Sequence, residues 1–429
     1  MPHLLELSER LWTGRDSIHE PAHHPFATLD QIDEIASCDQ GSVHFFKFFS
    51  NVVAISGGGA LVLSDTGSFV PRAHERVHAA VRSVTAKPLH TAIYTHGHAD
   101  HAYGLPPFLR EAAATGAARP QVVAHRCVRE RMQRYVLTAG FNALINQRQF
   151  GRPTEWPTDP ILPTTEYEDR LELTVGERTI ELHHGRGETD DHTWVFLPRE
   201  RVLHTGDFFI WSAPNAGNPQ KVQRYAADWV AALRSMATRR PLYLLPGHGL
   251  PIAGEERVAQ ALLETAEYLE SLWRQTVEGM NTGASLDDLV HGVRPPAHLA
   301  DRPFLQPIYD EPEFIVRNVW RCYGGWYDGT PSELKPASRA ARAREIAALA
   351  GGVERLLERA RELVAAGDLR LASHLADWAV EASPDSAEAH AARAATYRAR
   401  VDEESSTMAK GIFGAAVRES EQRAGGPVS

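Results

Sequence analysis

The stretch IYTHGHADHAYG, residues 93–104, places three histidines and one aspartate within six positions, directly after a β-branched and aromatic run. His96 and His98 are two residues apart, so in an extended segment both imidazoles project to the same side. Asp100 and His101 are adjacent, so they cannot both point the same way as the first pair. A polar loop with histidines by chance is the weaker interpretation, because four such side chains have no packing purpose. The loop therefore predicts two cation sites, one held by His96 and His98 and the other by Asp100 and His101.

Three distant positions carry side chains that would complete such a two-metal site. Asp207 in VLHTGDFF follows a strand-like run and a glycine, where its carboxylate can bridge two cations. His248 in LLPGHGLP follows the apolar run LYLL, and the third candidate lies in HHGRGETDDHTW, residues 183–194. A turn-capping aspartate and a hydrogen-bonded loop histidine are the alternatives for Asp207 and His248. Nitrogen and oxygen ligands without thiolates suit Zn²⁺, while Fe or Mn stay open on ligand type.

The composition is that of an ordinary globular protein, with 43% hydrophobic and 23% charged residues in a chain of 429 residues that is long enough for two or three domains. A net charge of −10 without a long basic run argues against nucleic acid and anionic membranes as partners. Three cysteines in no CxxC spacing argue against a disulfide framework and a thiolate metal site. The N-terminus lacks the apolar segment of a secretory signal, and no apolar run approaches the roughly 18 residues that span a bilayer. We therefore expect a cytoplasmic protein that contacts neither nucleic acid nor membrane.

Strand-like and helical runs alternate from about residue 43 to residue 248, which predicts a layered α/β domain with its loops at one edge. Residues 255–279 are predicted as one long helix, and a Pro-rich connector that cannot be continuous helix follows. From about residue 337 the chain is Ala-, Leu-, Glu- and Arg-rich, with the small-residue spacing of a tetratricopeptide-type helix pair. We expect four regions: a catalytic domain at 1–254, a helical and Pro-rich connector completing the active-site wall at 255–336, an α-helical dimerisation domain at 337–400, and a frayed C-terminal tail at 401–429.

A family resemblance appears when these motifs are taken together. The segment HGHADH, residues 96–101, resembles the HxHxDH signature of the metallo-β-lactamase-fold hydrolases. Asp65 in LSDTG, Asp207 in TGD and His248 in PGHG are similar to that superfamily's other landmarks and follow in the same order. The resemblance covers about residues 43–254 and implies an αβ/βα sandwich with a dinuclear site, usually zinc, at one edge of two packed sheets. Hydrolysis of an ester-like bond through a metal-bridging hydroxide is the implied reaction.

One departure from the common pattern indicates a branch of this superfamily. Where most members have a GHT histidine, this chain has Gly187-Glu188-Thr189, and the alkyl sulfatase branch carries a glutamate there as a metal ligand. Glu188 is therefore the expected ligand, while His192 in the same loop is the alternative. The resemblance implies two Zn²⁺, with Asp100 and Asp207 as catalytic residues, and this set of metal ligands: His96, His98, Asp100, His101, Glu188, Asp207 and His248.

The C-terminal part of the chain resembles the same branch. The segment CYGGWYDGTPSELKP, residues 322–336, is similar to the opening of the alkyl sulfatase dimerisation domain, and the helical remainder resembles that domain to about residue 400. This implies an αβ/βα sandwich followed by an all-α, tetratricopeptide-like dimerisation domain, and hence a homodimer. The sterol-carrier-like third domain that is typical of the branch is not expected here.

The expected substrate contacts match the branch less completely than the ligands do. The sulfatases follow their bridging acid with histidines, an asparagine and an arginine, and here Asn215 lines up with the asparagine. The arginine position falls on Gln220, and Lys221 beside it is a substitute contact for an anion. Tyr323 is the third candidate substrate contact, with aromatic core at a domain interface as its alternative role. The histidine positions of the branch fall on Trp211 and Pro214.

Three hypotheses for function follow. The leading one is a dinuclear metal-dependent hydrolase that acts on small-molecule organic sulfate esters, alkyl or aryl. The alternative is a hydrolase of the same fold whose substrate is a lactone, carboxylic ester, thioester or phosphodiester. The non-enzyme hypothesis is a helical-repeat adaptor with a degenerate hydrolase domain, and the complete ligand set counts against it.

Overall fold

The computed structural model describes residues 3–39 and 41–425, and these divide into two compact units. The first unit comprises the described residues up to 139 together with 157–325. The second comprises residues 140–156 and the described residues from 326 onward. An α/β sandwich followed by an all-helical region is the fold class expected from the sequence, and it is confirmed.

The first sheet has seven strands that lie in chain order. Its early strands pair antiparallel, whereas the fourth to seventh strands pair parallel. The third strand is buried along its whole length, which suits its continuous Val, Ala and Ile content. The strands are β1 (Gln31–Cys38), β2 (Gly41–Lys47), β3 (Val52–Gly57), β4 (Ala60–Ser64), β5 (Leu89–Ile93), β6 (Gln121–His125) and β7 (Thr165–Tyr167).

The second sheet has six strands, in the order β13-β12-β11-β10-β9-β8. Every neighbouring pair is antiparallel except β11 with β12, which are parallel and are joined by a crossover helix. The strands are β8 (Arg170–Val175), β9 (Arg178–His184), β10 (Thr193–Leu197), β11 (Val202–Gly206), β12 (Tyr243–Pro246) and β13 (Ile252–Ala253).

One hydrophobic core joins the two sheets. It includes Val53 and Ile55 of β3 together with Val195 of β10 and Leu244 of β12, all of them buried. Helices connect the parallel strands, and the helices of this part of the chain are α1 (Leu4–Trp12), α2 (Pro71–Val84), α3 (Pro106–Thr115), α4 (Cys127–Leu137) and α6 (Ala226–Thr238).

The segment after β13 packs within the first unit. The long helix predicted over 255–279 is observed as α7 (Glu255–Asn281). The Pro-rich connector forms short 3-10 turns at 297–299 and 303–305, because its prolines interrupt helical hydrogen bonding. It is flanked by α8 (Leu286–Gly292) and α9 (Pro312–Gly324), and Leu269 and Ile315 of this segment enter the same hydrophobic core.

The second unit is helical throughout its secondary structure. Serine or aspartate side chains cap the N-termini of four of its helices by accepting a backbone amide hydrogen, which fixes where each helix begins. Gly351 ends one helix in the left-handed conformation that glycine adopts most easily. The helices are α5 (Ala139–Phe150), α10 (Pro331–Leu334), α11 (Arg339–Ala350), α12 (Val353–Ala365), α13 (Leu369–Ala382), α14 (Ala387–Glu403) and α15 (Thr407–Arg423).

The sequence interpretation was wrong for most of the C-terminal tail. Residues 407–423, expected to be frayed, form α15, and residues 426–429 of that tail lie outside the described residues. The helix packs on α14, where Tyr397 and Val417 share a small apolar cluster. Arg393 also donates a hydrogen bond of 2.8 Å to the Ser420 hydroxyl. Tertiary contact therefore stabilises a helix whose interior glycines, Gly411 and Gly414, disfavour helix formation.

Within the described part of the chain, no helix combines the length and the apolar character that crossing a membrane requires.

Candidate metal centre

The loops that follow four strands and the loop between β9 and β10 bring the predicted donors together. Asp65 follows β4, the loop 94–104 follows β5, Asp207 follows β11 and His248 lies two residues beyond β12. Glu188 comes from the loop between β9 and β10. The site is therefore built from irregular backbone held by rigid strands, which is the usual construction of an active site.

The first group of donors consists of His96, His98, Glu188 and Asp207, whose ligand atoms all lie within 4.8 Å of one another. His96 Nε2 is 2.8 Å from His98 Nδ1 and 3.8 Å from Asp207 Oδ2. His98 Nδ1 is 3.7 Å from Glu188 Oε1. Two ligands that lie about 2.1 Å from a tetrahedral cation are about 3.4 Å apart, so these separations suit a shared cation.

The second group consists of Asp100, His101 and His248. The Nε2 atoms of the two histidines are 3.2 Å apart, and each lies 3.5 Å from Asp100 Oδ2. Asp207 also touches this group, because its Oδ1 is 3.3 Å from His101 Nε2 and its Oδ2 is 3.5 Å from His248 Nε2. One carboxylate thus lies between the two groups, which is the position of a bridging ligand.

Hydrogen bonds orient the histidine rings so that one nitrogen of each ring faces the site. His101 donates from Nδ1 to Asp65 Oδ2 over 2.8 Å, and His248 donates from Nδ1 to the carbonyl of Phe49. The Thr95 hydroxyl donates its single hydrogen to Asp65 Oδ2, so it accepts from His96 Nδ1. Each of these rings therefore turns Nε2 inward, where it would bind a metal ion, the arrangement that metal-binding histidines usually show.

The backbone around these residues is specialised for close approach. Asp65 is fully buried and has a φ of 60°, in the left-handed region that is unfavourable for a side chain with a Cβ. At Gly247 a Cβ would overlap Asp207 Oδ1, so only glycine lets the loop of His248 lie against the bridging carboxylate.

Burial and mutual charge set the electrostatics of the site. Burial lowers the pKa of His96 and His98 well below the usual histidine value. Burial acts in the same direction on His101, but Asp207, Asp100 and Asp65 outweigh it and raise its pKa well above the usual value. Three carboxylates around one imidazole stabilise positive charge at the second donor group, and they would stabilise a bound cation there in the same way.

The donor set fits a pair of divalent metal ions. Burial and the nearby Asp207 raise the pKa of Glu188 well above the usual carboxyl value, since two buried carboxylates side by side repel each other. Among the described residues, Glu188 Oε2 is buried and has no hydrogen-bond partner. A divalent cation would neutralise this repulsion and satisfy the orphaned oxygen. Imidazole and carboxylate donors without thiolate suit Zn²⁺.

The two alternatives in the loop between β9 and β10 are placed differently. Glu188 belongs to the first donor group, whereas His192 belongs to neither group. His192 stacks on the ring of His96 at 4.4 Å and accepts a 3.2 Å hydrogen bond from the Asp207 amide at its Nε2. That contact occupies the Nε2 lone pair, so His192 supports the ligands from behind, while Glu188 faces them.

The three predicted substrate contacts lie at different distances from the donors. Asn215 is buried and donates from Nδ2 to Glu188 Oε1. Lys221 is near enough to Asp100 and Glu188 for both to affect its pKa, which burial and Arg224 lower to about 8. Tyr323 is 55% exposed, accepts a hydrogen bond from Trp273, and lines a small cavity together with Arg224.

Arg224 is a site residue that the sequence reasoning missed. Its guanidinium is buried, and Nη2 donates to Glu188 Oε1 over 3.2 Å while Nε donates to the carbonyl of Asn215. The sequence comparison with the sulfatase pattern placed the arginine position on Gln220, four residues earlier. A search for the next arginine in the irregular stretch 211–225 would have found it.

Arg131 and Asp191 were also missed, and they hold the backbone of the histidine loop. Asp191 is fully buried, accepts a hydrogen bond from the amide of Gly97 over 3.0 Å, and forms an ion pair with Arg131, whose Nε lies 2.9 Å from Asp191 Oδ2. Gly97 separates His96 from His98, so this ion pair fixes the spacing of the first two donors. The adjacent acids Asp190 and Asp191 were the available signal in the sequence.

Comparison with known proteins agrees with the fold. Residues 46–248 match the family described as "Metallo-beta-lactamase superfamily", and residues 285–423 match the family described as "Alkyl sulfatase dimerisation". Residues 46–248 therefore form a metallo-β-lactamase-type domain, as the sequence motifs implied. The second match places the C-terminal part with the alkyl sulfatases, which confirms the branch indicated by the glutamate of the GET segment.

Individual proteins that are similar to this chain are alkyl or aryl sulfatases. The chain is 28% identical over 360 residues to a linear primary-alkylsulfatase of Pseudomonas sp. (strain ATCC 19151), covering 79% of this chain and 68% of that protein. It is 24% identical over 396 residues to an alkyl/aryl-sulfatase of Saccharomyces cerevisiae, covering 86% of this chain and 59% of the relative. The solved structure of a stereoselective inverting sec-alkylsulfatase from Pseudomonas sp. has a TM-score of 0.81 at 22% identity, covering 93% of this chain and 66% of that one. The chain thus spans between about three fifths and two thirds of the length of these relatives.

Proposed function

We propose that this protein is a metal-dependent hydrolase of organic sulfate esters. The observation that carries the proposal is the pair of donor groups that share Asp207, with buried positive charge next to one group and aromatic rings against the other. The homology to alkyl sulfatases over most of the chain supports the same reaction class.

The positive charge beside the first donor group suits the anionic part of the substrate. Arg224 and Asn215 contact Glu188 directly, and Lys221 interacts electrostatically with Glu188 and with Asp100. These three side chains surround the first donor group with hydrogen-bond donors. A guanidinium and an ammonium recognise an oxyanion such as a sulfate group through charge-assisted hydrogen bonds.

Aromatic rings beside the second donor group suit the organic part of the substrate. Phe26 and Phe49 pack against the His248 imidazole at centroid distances of 4.4 Å and 5.5 Å, and Tyr309 lies 4.5 Å from Phe26. All three rings are partly exposed. The second donor group thus carries an apolar wall, which suits an alkyl or aryl group attached to the sulfate.

Different residues of this chain have different roles in the proposed hydrolysis. The ligands named above would hold two Zn²⁺, which when bound supply a hydroxide at neutral pH and polarise the ester oxygen. Asp207 lies between the groups and holds their geometry, with Asp65 and Thr95 orienting the histidines behind it. The Asp100 side chain is 27% exposed while those of the other ligands are 14% exposed or less, so Asp100 lies on the solvent side of the site. Arg224 and Asn215 bind and orient the sulfate group.

The oligomeric state, the domain limits and the cellular location are also proposed. We infer a homodimer formed through the helical C-terminal region, because residues 285–423 match a dimerisation family and the apolar side chains of Leu349 and Leu371 are exposed there. The domain limits 1–254, 255–336 and 337–400 are retained as proposed boundaries, and a cytoplasmic location is proposed from the cysteine content. Tyr323 is retained as a substrate contact that would require movement of its side chain.

A substrate panel tests the proposed activity. Protein loaded with zinc is assayed against alkyl sulfates, aryl sulfates, lactones, carboxylic esters, thioesters and phosphodiesters, with the metal content measured by elemental analysis. We expect close to two zinc ions per chain and the highest kcat/KM for a sulfate ester. His248→Ala is the matched control, and it should lose both metal and activity. Full activity in metal-free protein would refute the proposal, and preference for another ester would assign a different substrate class.

A further inference from the structure

The loop 211–225 carries Asn215, Lys221 and Arg224, but few of its backbone groups are held by regular secondary structure. Its partners come instead from residues 306–321, at and before α9. These residues lie inside the segment that matches the dimerisation family, yet they pack within the first unit with the metal centre.

The side chain of Asn318 in α9 forms two hydrogen bonds with the backbone of Arg224. The Asn318 side chain donates from Nδ2 to the carbonyl of Arg224 over 3.0 Å and accepts from the Arg224 amide at Oδ1 over 3.4 Å. Arg321 donates to the same Oδ1 over 2.9 Å, which fixes the orientation of the side-chain amide. Because Asn318 is only 3% exposed, this pairing is shielded from competition by water.

Asp310 holds the other end of the loop. Its Oδ2 accepts from the amides of Gly217 and Asn218 over 2.5 Å and 3.3 Å, and its Oδ1 accepts from the amide of Glu311 over 2.8 Å. Asp310 is fully buried. A Cβ at Gly217 would overlap the backbone of Phe314, so the loop lies flush against the start of α9.

We propose that Asn318 and Asp310 are positioning residues that set the side chains of Arg224 and Asn215 for binding the anionic group of the substrate. Neither residue contacts a metal donor, so they act through the loop alone. The inference rests on the proposed function, since it assigns the same loop to recognition of an oxyanion. It also gives the first part of the dimerisation-type segment a role in the active site.

The test compares isosteric variants with a surface control on the same helix. Asn318→Asp replaces the donor facing the Arg224 carbonyl by an oxygen, and Asp310→Asn replaces one acceptor oxygen by a donor. Arg317→Gln is the control, because Arg317 is exposed on α9. For each zinc-loaded full-length variant, the measurements are the thermal midpoint, the zinc content, the binding of inorganic sulfate by calorimetry, and KM and kcat for a model aryl sulfate.

We expect both isosteric variants to retain their zinc and to bind inorganic sulfate about 10- to 100-fold more weakly, the loss typical of one or two charge-assisted hydrogen bonds. KM should rise more than kcat falls, and Arg317→Gln should match the wild type. In an Arg224→Gln background, Asn318→Asp should weaken sulfate binding little further, because both changes remove the same contact between the Arg224 side chain and the bound sulfate.

Different outcomes would overturn the positioning role and the proposed function. Variants that remain folded and bind sulfate as the wild type does would overturn the positioning role and leave the proposed function standing. Additive effects of Asn318→Asp and Arg224→Gln, or loss of zinc in parallel with sulfate binding, would also overturn it. A zinc-loaded wild type that binds no sulfate and hydrolyses no sulfate ester would overturn the proposed function, and this assignment with it.

Discussion

Lys47 offers a sharp test of how the N-terminal segment is held at the site. The side chain is 1% exposed, and its ammonium donates to the carbonyls of Pro25, Ala27 and Phe48 at 2.9, 2.6 and 2.6 Å. Pro25 and Ala27 flank Phe26, whose ring packs on His248. Lys47 thus fastens the aromatic wall of the proposed substrate pocket.

Burial lowers the pKa of Lys47 from 10.5 to about 7. A lysine whose folded-state pKa is depressed takes up a proton more readily when the chain unfolds. Between these two pKa values, the free energy of unfolding therefore rises with pH, and it falls as the pH drops towards 7. The proton-linkage relation gives a change of about 2 kcal/mol between about pH 7 and about pH 9 for this single group.

The perturbation is Lys47→Met, which fills a similar volume without the charge. Urea unfolding of the metal-free protein is followed by tryptophan fluorescence at the two pH values. The wild type should gain about 2 kcal/mol more on raising the pH than the variant does, whatever the absolute stability of each. The comparison cancels the contributions of other titrating groups, because both proteins contain them.

Lys335→Met is the matched control, since Lys335 is exposed and should leave the pH dependence of unfolding as in the wild type. Equal pH dependence in the wild type and Lys47→Met would refute the reasoning. It would mean that the three carbonyls stabilise the ammonium enough to cancel the cost of burial.

Three further predictions concern the metal centre and assembly. Asp65→Asn should lower zinc affinity about 10- to 100-fold in competition with a chromogenic chelator, because this carboxylate orients one histidine of each group, and unchanged affinity would contradict that role. Glu188→Gln should remove about one of the two zinc ions, whereas His192→Ala should leave the zinc content nearly intact; the reverse pattern in elemental analysis would make His192 the ligand. Light scattering at micromolar concentration should report a dimer, and a monomer mass would count against the proposed assembly.

Residue types and their spacing along the chain were enough to predict the fold class and most of the candidate site. The spacing of His96 and His98, with Asp100 and His101 after them, predicts two separate groups, and the structure places them in two groups. The structure forms this segment as bends and a turn rather than as an extended strand, so the grouping follows from the order of the donors along one short loop and not from strand alternation. Most strands of the sandwich were recognised because buried strands are continuous apolar runs, whereas β1, β7, β8 and β13 were not.

Tertiary structure decided which distant side chains meet the donors. In the irregular loop 211–225 no periodicity tells which side chain points inward, so the sequence pattern favoured Lys221 and missed Arg224. The position of Arg224 depends on hydrogen bonds to Asn318, a residue 94 positions later in the chain. The tail was misjudged for a similar reason: α15 contains two glycines that lower its helix propensity, and its packing on α14 and α5 stabilises it. Local residue types thus determine the elements and the kind of chemistry, whereas long-range contacts between irregular segments determine which side chains take part in it.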